Sequence, residues 1–480
     1  MSTVKHSTSS PPTALDSVDV LVVGGGNAAL CAAMTAREAG ATVLMLEASP
    51  KLFRGGNSRH TRNIRYLHPI ANRYLTGPYL EEEFWEDLLT VTKGNTCEEM
   101  ARLTIRESEN IGDWMRLHGA MFQPAMRGTL HLSRTNAFFL GGGKGLINSY
   151  YAFAEKLGVG IVYETEVRDL DLRQGRFVSA TVVRNGRLET VQASTLVLAS
   201  GGYQANRQWL REAWGPPAEN FIIRGTPYDT GTMLRAMLDK GAKAVGEPRQ
   251  CHAVAIDARA PLFDGGIVTR LDCVPFSIVV NRDAKRFYDE GEEFWPKRYA
   301  IWGRLVAQQP DQIAYAIIDS KSIDLFMPSV FPPVEANSIS EIADKLQLNK
   351  ERLENTVNEF NAAVRPGRFD PAALDSCKTE GLDPPKSHWA RVLDTPPYYA
   401  YPLRPGITFT YLSLKVDQKA RVIMEDDRPA ENIFAAGEIM SGNILGQGYM
   451  AGFGMTIGTV FGRLAGKEAV RHVVECLKRS

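Results

Sequence analysis

No run of about eighteen apolar residues occurs in the chain, so no segment reads as a bilayer-spanning helix. The six cysteines (Cys31, Cys97, Cys251, Cys273, Cys377 and Cys476) form no C-x-x-C pair, and no Cys/His grouping at metal-ligand spacing is read from them. A disulfide framework, a zinc site, an iron–sulfur spacing and a C-x-x-C-H haem attachment are therefore not expected, and a reducing cytoplasm fits best. Neither sign of charge is in excess: Lys+Arg and Asp+Glu number 55 each, which gives no case for nucleic acid or an anionic membrane surface. No internal repeat is visible. The Ser/Thr/Pro-rich start has no apolar centre, so residues 1–16 read as a disordered tail and not a signal peptide.

With 480 residues, 44% of them hydrophobic, the chain can bury a large core in two to three domains. It is organised around Asp19–Glu47. Val18–Val23 is a near-continuous apolar run of the kind a parallel strand shows when buried on both faces. Gly24, Gly25 and Gly26 follow, and Asn27, Ala28 and Ala29 open a small-residue helix that Gly40 stops. A second apolar strand, Thr42–Leu46, runs into Glu47 and Ala48. Gly24 and Gly26 stand at the first two positions of a dinucleotide-binding fingerprint, with Ala29 at the third. The chemistry requires those types. The turn must be tight, the backbone must approach a pyrophosphate, and helix N–H groups must meet the phosphates. Glu47, 21 residues after Gly26, is placed to accept hydrogen bonds from ribose hydroxyls.

Downstream, KLFRGGNSRHTRNIRYLH sets Gly56, Asn57 and Ser58 ahead of Arg59, Arg62 and Arg65, a polar loop with close backbone approach. Residues 79–120 read as amphipathic helices. Gly141–Gly145, with Lys144 inside it, misses the P-loop spacing and follows no long buried strand, so it reads as a helix start near the dinucleotide. A strand and a hairpin-rich insertion come next, turning at Gln174-Gly175 and Asn185-Gly186. The buried strand Thr195–Ala199 then leads through Ser200 into Gly201. Helices are expected at Arg207–Trp214, at Gly231–Lys240 and, capped by Asn349, over 348–367. The Pro-rich run 383–405 reads as a connection back. A hairpin, a short buried strand through ENIFAAGE and a long closing helix complete the chain. The fold expected is α/β: a Rossmann-like domain formed by both chain ends (17–250 and 396–480), with an inserted α+β capping domain at 251–395.

GGGNAA with Glu47, the RGGNS loop, LVLASGGY and the ending AAGEIMSGNILGQGYMAGFGMTIGTVFGRLAG together resemble the fumarate reductase/succinate dehydrogenase flavoprotein family. VVNRDAKRF is a further cap landmark. RGGNSRHTRN, GGGKGL and the chain's ending look most like tricarballylate dehydrogenase flavoproteins, which oxidise a propane tricarboxylate to cis-aconitate. The resemblance implies FAD, with pyrophosphate on Gly24–Ala29 and the adenosine ribose on Glu47. It implies isoalloxazine contacts at Gly56, Asn57 and Ser58, adenine on the Val167 backbone, the ribityl chain near Glu438, and Gly454-Met455 facing the pyrimidine ring. Ala199, Ser200 and Gly201 complete the cofactor set. The flavin is expected to be held non-covalently, His60 being the residue a covalent bond would use. No second G-x-G-x-x-G appears, as an NAD-reducing flavoenzyme would carry.

The resemblance also implies catalytic positions. His252 in GEPRQCHAV takes the place of a family His, without the Pro-Thr that follows it there. Arg298 in PKRYA matches the family's proton-carrying arginine by order. Thr269-Arg270 stands where the family has Thr-Glu, Thr408-Phe409-Thr410 where it has His-His-Thr, and the late dicarboxylate-binding arginine is replaced around Tyr449. Chemistry alone sets a further demand. Dehydrogenating a CH–CH bond beside a carboxylate needs a base on one carbon, a hydride acceptor (flavin N5) at the other, and cations for the carboxylates. Guanidinium forks supply the last. Arg270, Arg62, Arg134 and Arg298 are the candidates, with His252 as an extra donor and Tyr449 as a proton donor or acceptor.

The leading expectation is FAD-dependent dehydrogenation of a small polycarboxylate, most simply tricarballylate. Lacking haem and iron–sulfur motifs, the chain would pass electrons to a separate acceptor, and the resemblance implies a membrane iron–sulfur/haem partner, so a location at the inner membrane's edge is the alternative to free cytoplasm. A 3-ketosteroid Δ1-dehydrogenase-like or fumarate-reductase-like activity, or a non-catalytic flavin-bearing accessory protein, are the rivals.

Overall fold

The computed structural model describes residues 17–125 and 132–479; the expected N-terminal tail, 1–16, lies outside them. Its first sheet runs Arg421–Ile423, Pro429–Ala435, Arg187–Leu198, Val18–Val23, Val43–Leu46, Gly160–Val162. The central pairs are parallel, Val22 lying opposite both Met45 and Val197. Every side chain of Val43–Leu46 is buried, and all but Asp19 of Val18–Val23 are too, with helices Asn27–Glu38 and Phe453–Arg479 packed against this sheet. Arg187–Leu198 also ends an antiparallel meander with Thr165–Arg173 and Arg176–Arg184. Its two turns fall at Gln174-Gly175 and Asn185-Gly186, all four residues with positive φ, which matches strand twist in two-residue hairpins.

The two chain ends meet through small residues. Helix Asn27–Glu38 packs on the closing helix Phe453–Arg479 so tightly that a Cβ on Gly462 would lie 2.5 Å from the Ala28 carbonyl oxygen, and one on Gly466 2.4 Å from that of Ala32. Alanines on one helix and glycines every fourth residue on the other let the backbones approach. Asn27 locks the pair, its amide donating to Met455 O (3.2 Å) and Thr459 Oγ1 (2.9 Å).

A second sheet is built on the 13-residue strand Tyr398–Thr410. It pairs with Ile222–Arg224, Cys251–Asp257, Ala314–Asp319 and Val334–Ala336, with Ile278–Asn281 beyond. Two expectations need correction here. The Pro-rich run read as a connection becomes a strand from Tyr398 onward: Pro402 and Pro405 lack an N–H, yet the Pro402 carbonyl still accepts from Ala258 (2.9 Å). Sheet membership also crosses the expected boundaries at 250 and 396, since Ile222–Arg224 and Tyr398–Thr410 belong to the second sheet. The helix predicted over 348–367 spans Lys350–Ala363, with the Asn349 side chain accepting from Arg352 N at 2.9 Å. No described helix is long and apolar enough to cross a membrane.

Candidate active site

A cavity of about 630 Å³ runs from the first glycine turn to the second sheet. One end is the turn after the first strand. Gly24, at φ +114°, is required there twice over: the backbone conformation disfavours a side chain, and a Cβ would sit 2.2 Å from the Ala199 carbonyl oxygen. A Cβ on Gly25 would meet Glu47 Oε2 at 1.9 Å. The Ser58 hydroxyl accepts the Asn27 N–H (3.0 Å), joining the RGGNS loop to the helix start. Glu47 is buried and accepts from the N–H groups of Ser49 (2.9 Å) and Gly55 (3.3 Å); burial raises its pKa.

Sixteen of the seventeen positions expected to hold the cofactor line this cavity, Ala48, Val167, Ser200, Glu438 and Met455 among them. The exception is Ala29, which is fully buried off the wall. Its fingerprint position serves helix-to-strand packing and not contact. Asn57 holds the loop against the second sheet, donating to Thr408 O and accepting from Thr226 N, both at 2.8 Å. Glu438, expected here, shares the Gln204 amide with Asp229, which the sequence reading missed. The Gln204 amide donates to Asp229 Oδ2 (2.8 Å) and reaches Glu438 Oε2 (3.5 Å), while Thr410 N–H donates to Glu438 Oε1 (2.8 Å). Burial pushes Glu438 up to about 8; burial and then the Glu438 charge raise Asp229 well above the carboxylate range.

The other end is cationic. Arg62, Arg224 and Arg270 all line it. Arg270 is forked onto Asp272 (2.8 and 2.7 Å), and Asp272 also accepts from Trp295 Nε1 (2.7 Å). Among the described residues Arg224 has only neutral partners, Gly266 O (3.2 Å) and Thr408 Oγ1 (2.9 Å). Arg62 donates to the Ile267 carbonyl, and its Nε is buried without a partner among the described residues. Burial first, and Arg270 second, lower Arg224 and bring Arg62 down to about 9. His252 is buried, with neither ring nitrogen hydrogen-bonded to any described residue, stacked on Tyr449 (4.0 Å between centroids) and edge-on to Tyr299 (5.4 Å). Burial, then Arg224 and Arg270, hold it neutral. Tyr449 Oη accepts the Gly454 N–H (2.9 Å) at the start of the closing helix.

Three expected substrate residues are not brought here. Arg298 pairs with Glu292 at 3.1 Å, off the cavity wall, whereas Trp295 and Tyr299, four apart and so on one side of the turn, are on it. Arg134 binds the Glu83 carboxylate (3.0 Å), and the Thr269 hydroxyl binds Asp264. Arg224 and Tyr299 went unread; an arginine ending an apolar strand before Gly225 was the only local sign of the first. The absence of a Cys/His grouping also needs amending: His472 and Cys476, four apart on the closing helix, bring ligand atoms within 4.8 Å of one another and of Glu431.

Residues 19–454 match the family described as FAD binding domain. The chain belongs to that family. Curated relatives include an NADH:fumarate oxidoreductase of Klebsiella pneumoniae (strain 342), 25% identical over 470 residues that cover 95% of this chain and 48% of that protein. The chain thus spans about half the length of such relatives. Among solved structures, the open conformation of a flavocytochrome c3 fumarate reductase is similar with a TM-score of 0.74 (21% identity, 96% of this chain, 79% of that one). A 3-ketosteroid-Δ4-(5α)-dehydrogenase from Rhodococcus jostii RHA1 gives 0.72 (22% identity, 95% and 97%). The chain is thus similar to flavoproteins of the fumarate reductase and ketosteroid dehydrogenase kinds, and FAD is its cofactor. The residues fit it: two glycines that let the turn lie against Ala199 and Glu47, helix N–H groups beyond them, and the Ser200 hydroxyl buried on the wall without a partner among the described residues.

Proposed function

We propose that this flavoprotein oxidises a CH–CH bond of a small polycarboxylate, tricarballylate to cis-aconitate, with electrons then leaving to a separate acceptor protein. One observation carries the reading. Among the described residues, three guanidinium groups converge on one end of the cavity against a single carboxylate, Asp272, and two of them, Arg62 and Arg224, have no anionic partner. Buried cations without counter-charge cost several kcal/mol each, so a site that keeps two is shaped to be completed by an anion. Arg270, already forked onto Asp272, contributes shape more than charge.

FAD supplies the hydride acceptor. The chain's residues do the rest. Arg62 and Arg224 grip carboxylates and fix which C–H faces the flavin end. Neutral His252 offers a hydrogen bond without adding charge. The Tyr449–His252 stack and Trp295 close the space around the reacting carbons. The second sheet carries His252 and joins the FAD loop through Asn57, so we read it as a cap over the cofactor.

Anaerobic titration of the FAD-loaded protein with tricarballylate, followed at the oxidised-flavin band, tests this. Bleaching by tricarballylate but not by a 3-ketosteroid is the expected outcome. Bleaching by the steroid alone would make the Tyr-rich wall the substrate site. Unchanged absorbance with every polycarboxylate would favour a non-catalytic flavin carrier.

A further inference from the structure

We propose that Tyr299 is the proton-transferring residue of this site, in the position expected of its neighbour Arg298. The inference rests on the polycarboxylate reading above. Proton removal from carbon needs a group on the cavity wall, beside both the substrate anchors and the space over the flavin. Arg298 fails that requirement, held by Glu292 off the wall. Tyr299 meets it: it lines the cavity and is 6% exposed, with the Arg270 guanidinium 4.9 Å from its ring centroid and the His252 ring edge-on at 5.4 Å.

Its surroundings suit a phenol that exchanges its proton. Burial raises its pKa, and the positive charges of Arg270, Arg224 and Arg62 pull it back, with Asp272 opposing them. His252 is neutral, and Tyr449 and Tyr411 are the other titratable neighbours, each a phenol that burial keeps protonated. Three cations thus face Tyr299 and one anion. Tyr449 is less suited, because its ring lies flat on the neutral His252, whereas the Arg270 guanidinium lies over the ring of Tyr299.

The step balances. The Tyr299 phenolate takes the proton from one carbon, and its O–H bond forms as that C–H breaks. The electron pair released becomes the second bond to the neighbouring carbon, whose hydrogen departs as hydride to oxidised FAD. The products are the alkene, the phenol and two-electron-reduced FAD.

The test uses the FAD-loaded protein. Tyr299→Phe is expected to slow anaerobic flavin bleaching by tricarballylate by about 10²–10⁴-fold. Its FAD content should be unchanged, as should the perturbation of the flavin spectrum by malonate, which has no CH–CH bond and so reports binding alone. The wild-type bleaching rate should climb with pH through the alkaline range, a climb missing in Tyr299→Phe and kept in Tyr449→Phe. Arg298→Ala should bleach within about threefold of wild type. Wild-type bleaching rates in Tyr299→Phe would overturn the proposal, as would lost malonate binding in that variant or a matching loss in Arg298→Ala. If no polycarboxylate bleaches the wild type, the functional reading falls and this one with it. Bleaching at the same rate in wild type and Tyr299→Phe removes Tyr299 alone.

Discussion

Arg224→Met separates a residue kept for ligand from one kept for the fold. The substitution retains an unbranched chain of similar reach and deletes the charge. Arg224 is buried beside Arg270 and bonds only to Gly266 O and Thr408 Oγ1. In the ligand-free protein its removal forfeits two hydrogen bonds of about 1 kcal/mol each. It also relieves a buried cation that no anion offsets, an effect of roughly 1–4 kcal/mol in the stabilising direction. Stability without ligand should therefore hold or rise. In the complex, a charge-assisted bond to a carboxylate disappears, worth about 1.5–3 kcal/mol. At 1.4 kcal/mol per decade, affinity for malonate or tricarballylate should fall about 10- to 150-fold. Thermal unfolding of the FAD-loaded protein, with and without malonate, and a flavin-perturbation titration measure the two halves. Opposed signs, stability kept and affinity lost, are the mark of a binding group. A drop in stability beyond about 2 kcal/mol with the malonate affinity intact would make Arg224 a tie between strands and refute the anion-site argument.

Further outcomes follow from the cofactor end. Glu438 has its pKa raised to about 8 in the fold, so the folded chain binds a proton that the unfolded chain has released near its ordinary 4.5. Stability from this group is full below pH 4.5 and is lost as pH rises through about 8. Glu438→Gln should flatten the fall of apoprotein melting temperature over that window, and an unchanged profile would discard the assignment. Gly24→Ala, with its Cβ 2.2 Å from a backbone oxygen at φ +114°, should destabilise the fold by about 3 kcal/mol or more and yield little FAD on purification. Glu47→Ala should leave folding intact but weaken FAD retention on gel filtration; full retention would free the carboxylate from the ribose role.

The cofactor end was legible because its demands are local. A turn that must hold φ +114° against Ala199 admits glycine and little else, and such a constraint is written at single positions. Hairpins at Gln174-Gly175 and Asn185-Gly186, and the Asn349 cap, were readable on the same grounds. The cationic end is made otherwise. Arg62, Arg224, His252, Arg270, Tyr299 and Tyr449 arrive on separate segments, and the bonds that aim them span hundreds of residues: Arg224 to Thr408 across 184, Asn57 to Thr408 across 351. Both of those run to Tyr398–Thr410, the strand whose prolines disguised it. Motif order could name Arg298 but not the direction its side chain takes, and a single step along the turn separates it from Tyr299. The same dependence predicts where specificity is tuned. A change in the register of Tyr398–Thr410 would move Thr408, and with it both the Asn57 loop at the cofactor end of the cavity and the Arg224 guanidinium at its cationic end. Thr408→Val, which deletes the hydroxyl that fixes Arg224 but keeps the Thr408 carbonyl bound by Asn57, should therefore weaken anion binding while leaving FAD in place. Loss of FAD in that variant would mean the strand serves the two ends as one unit.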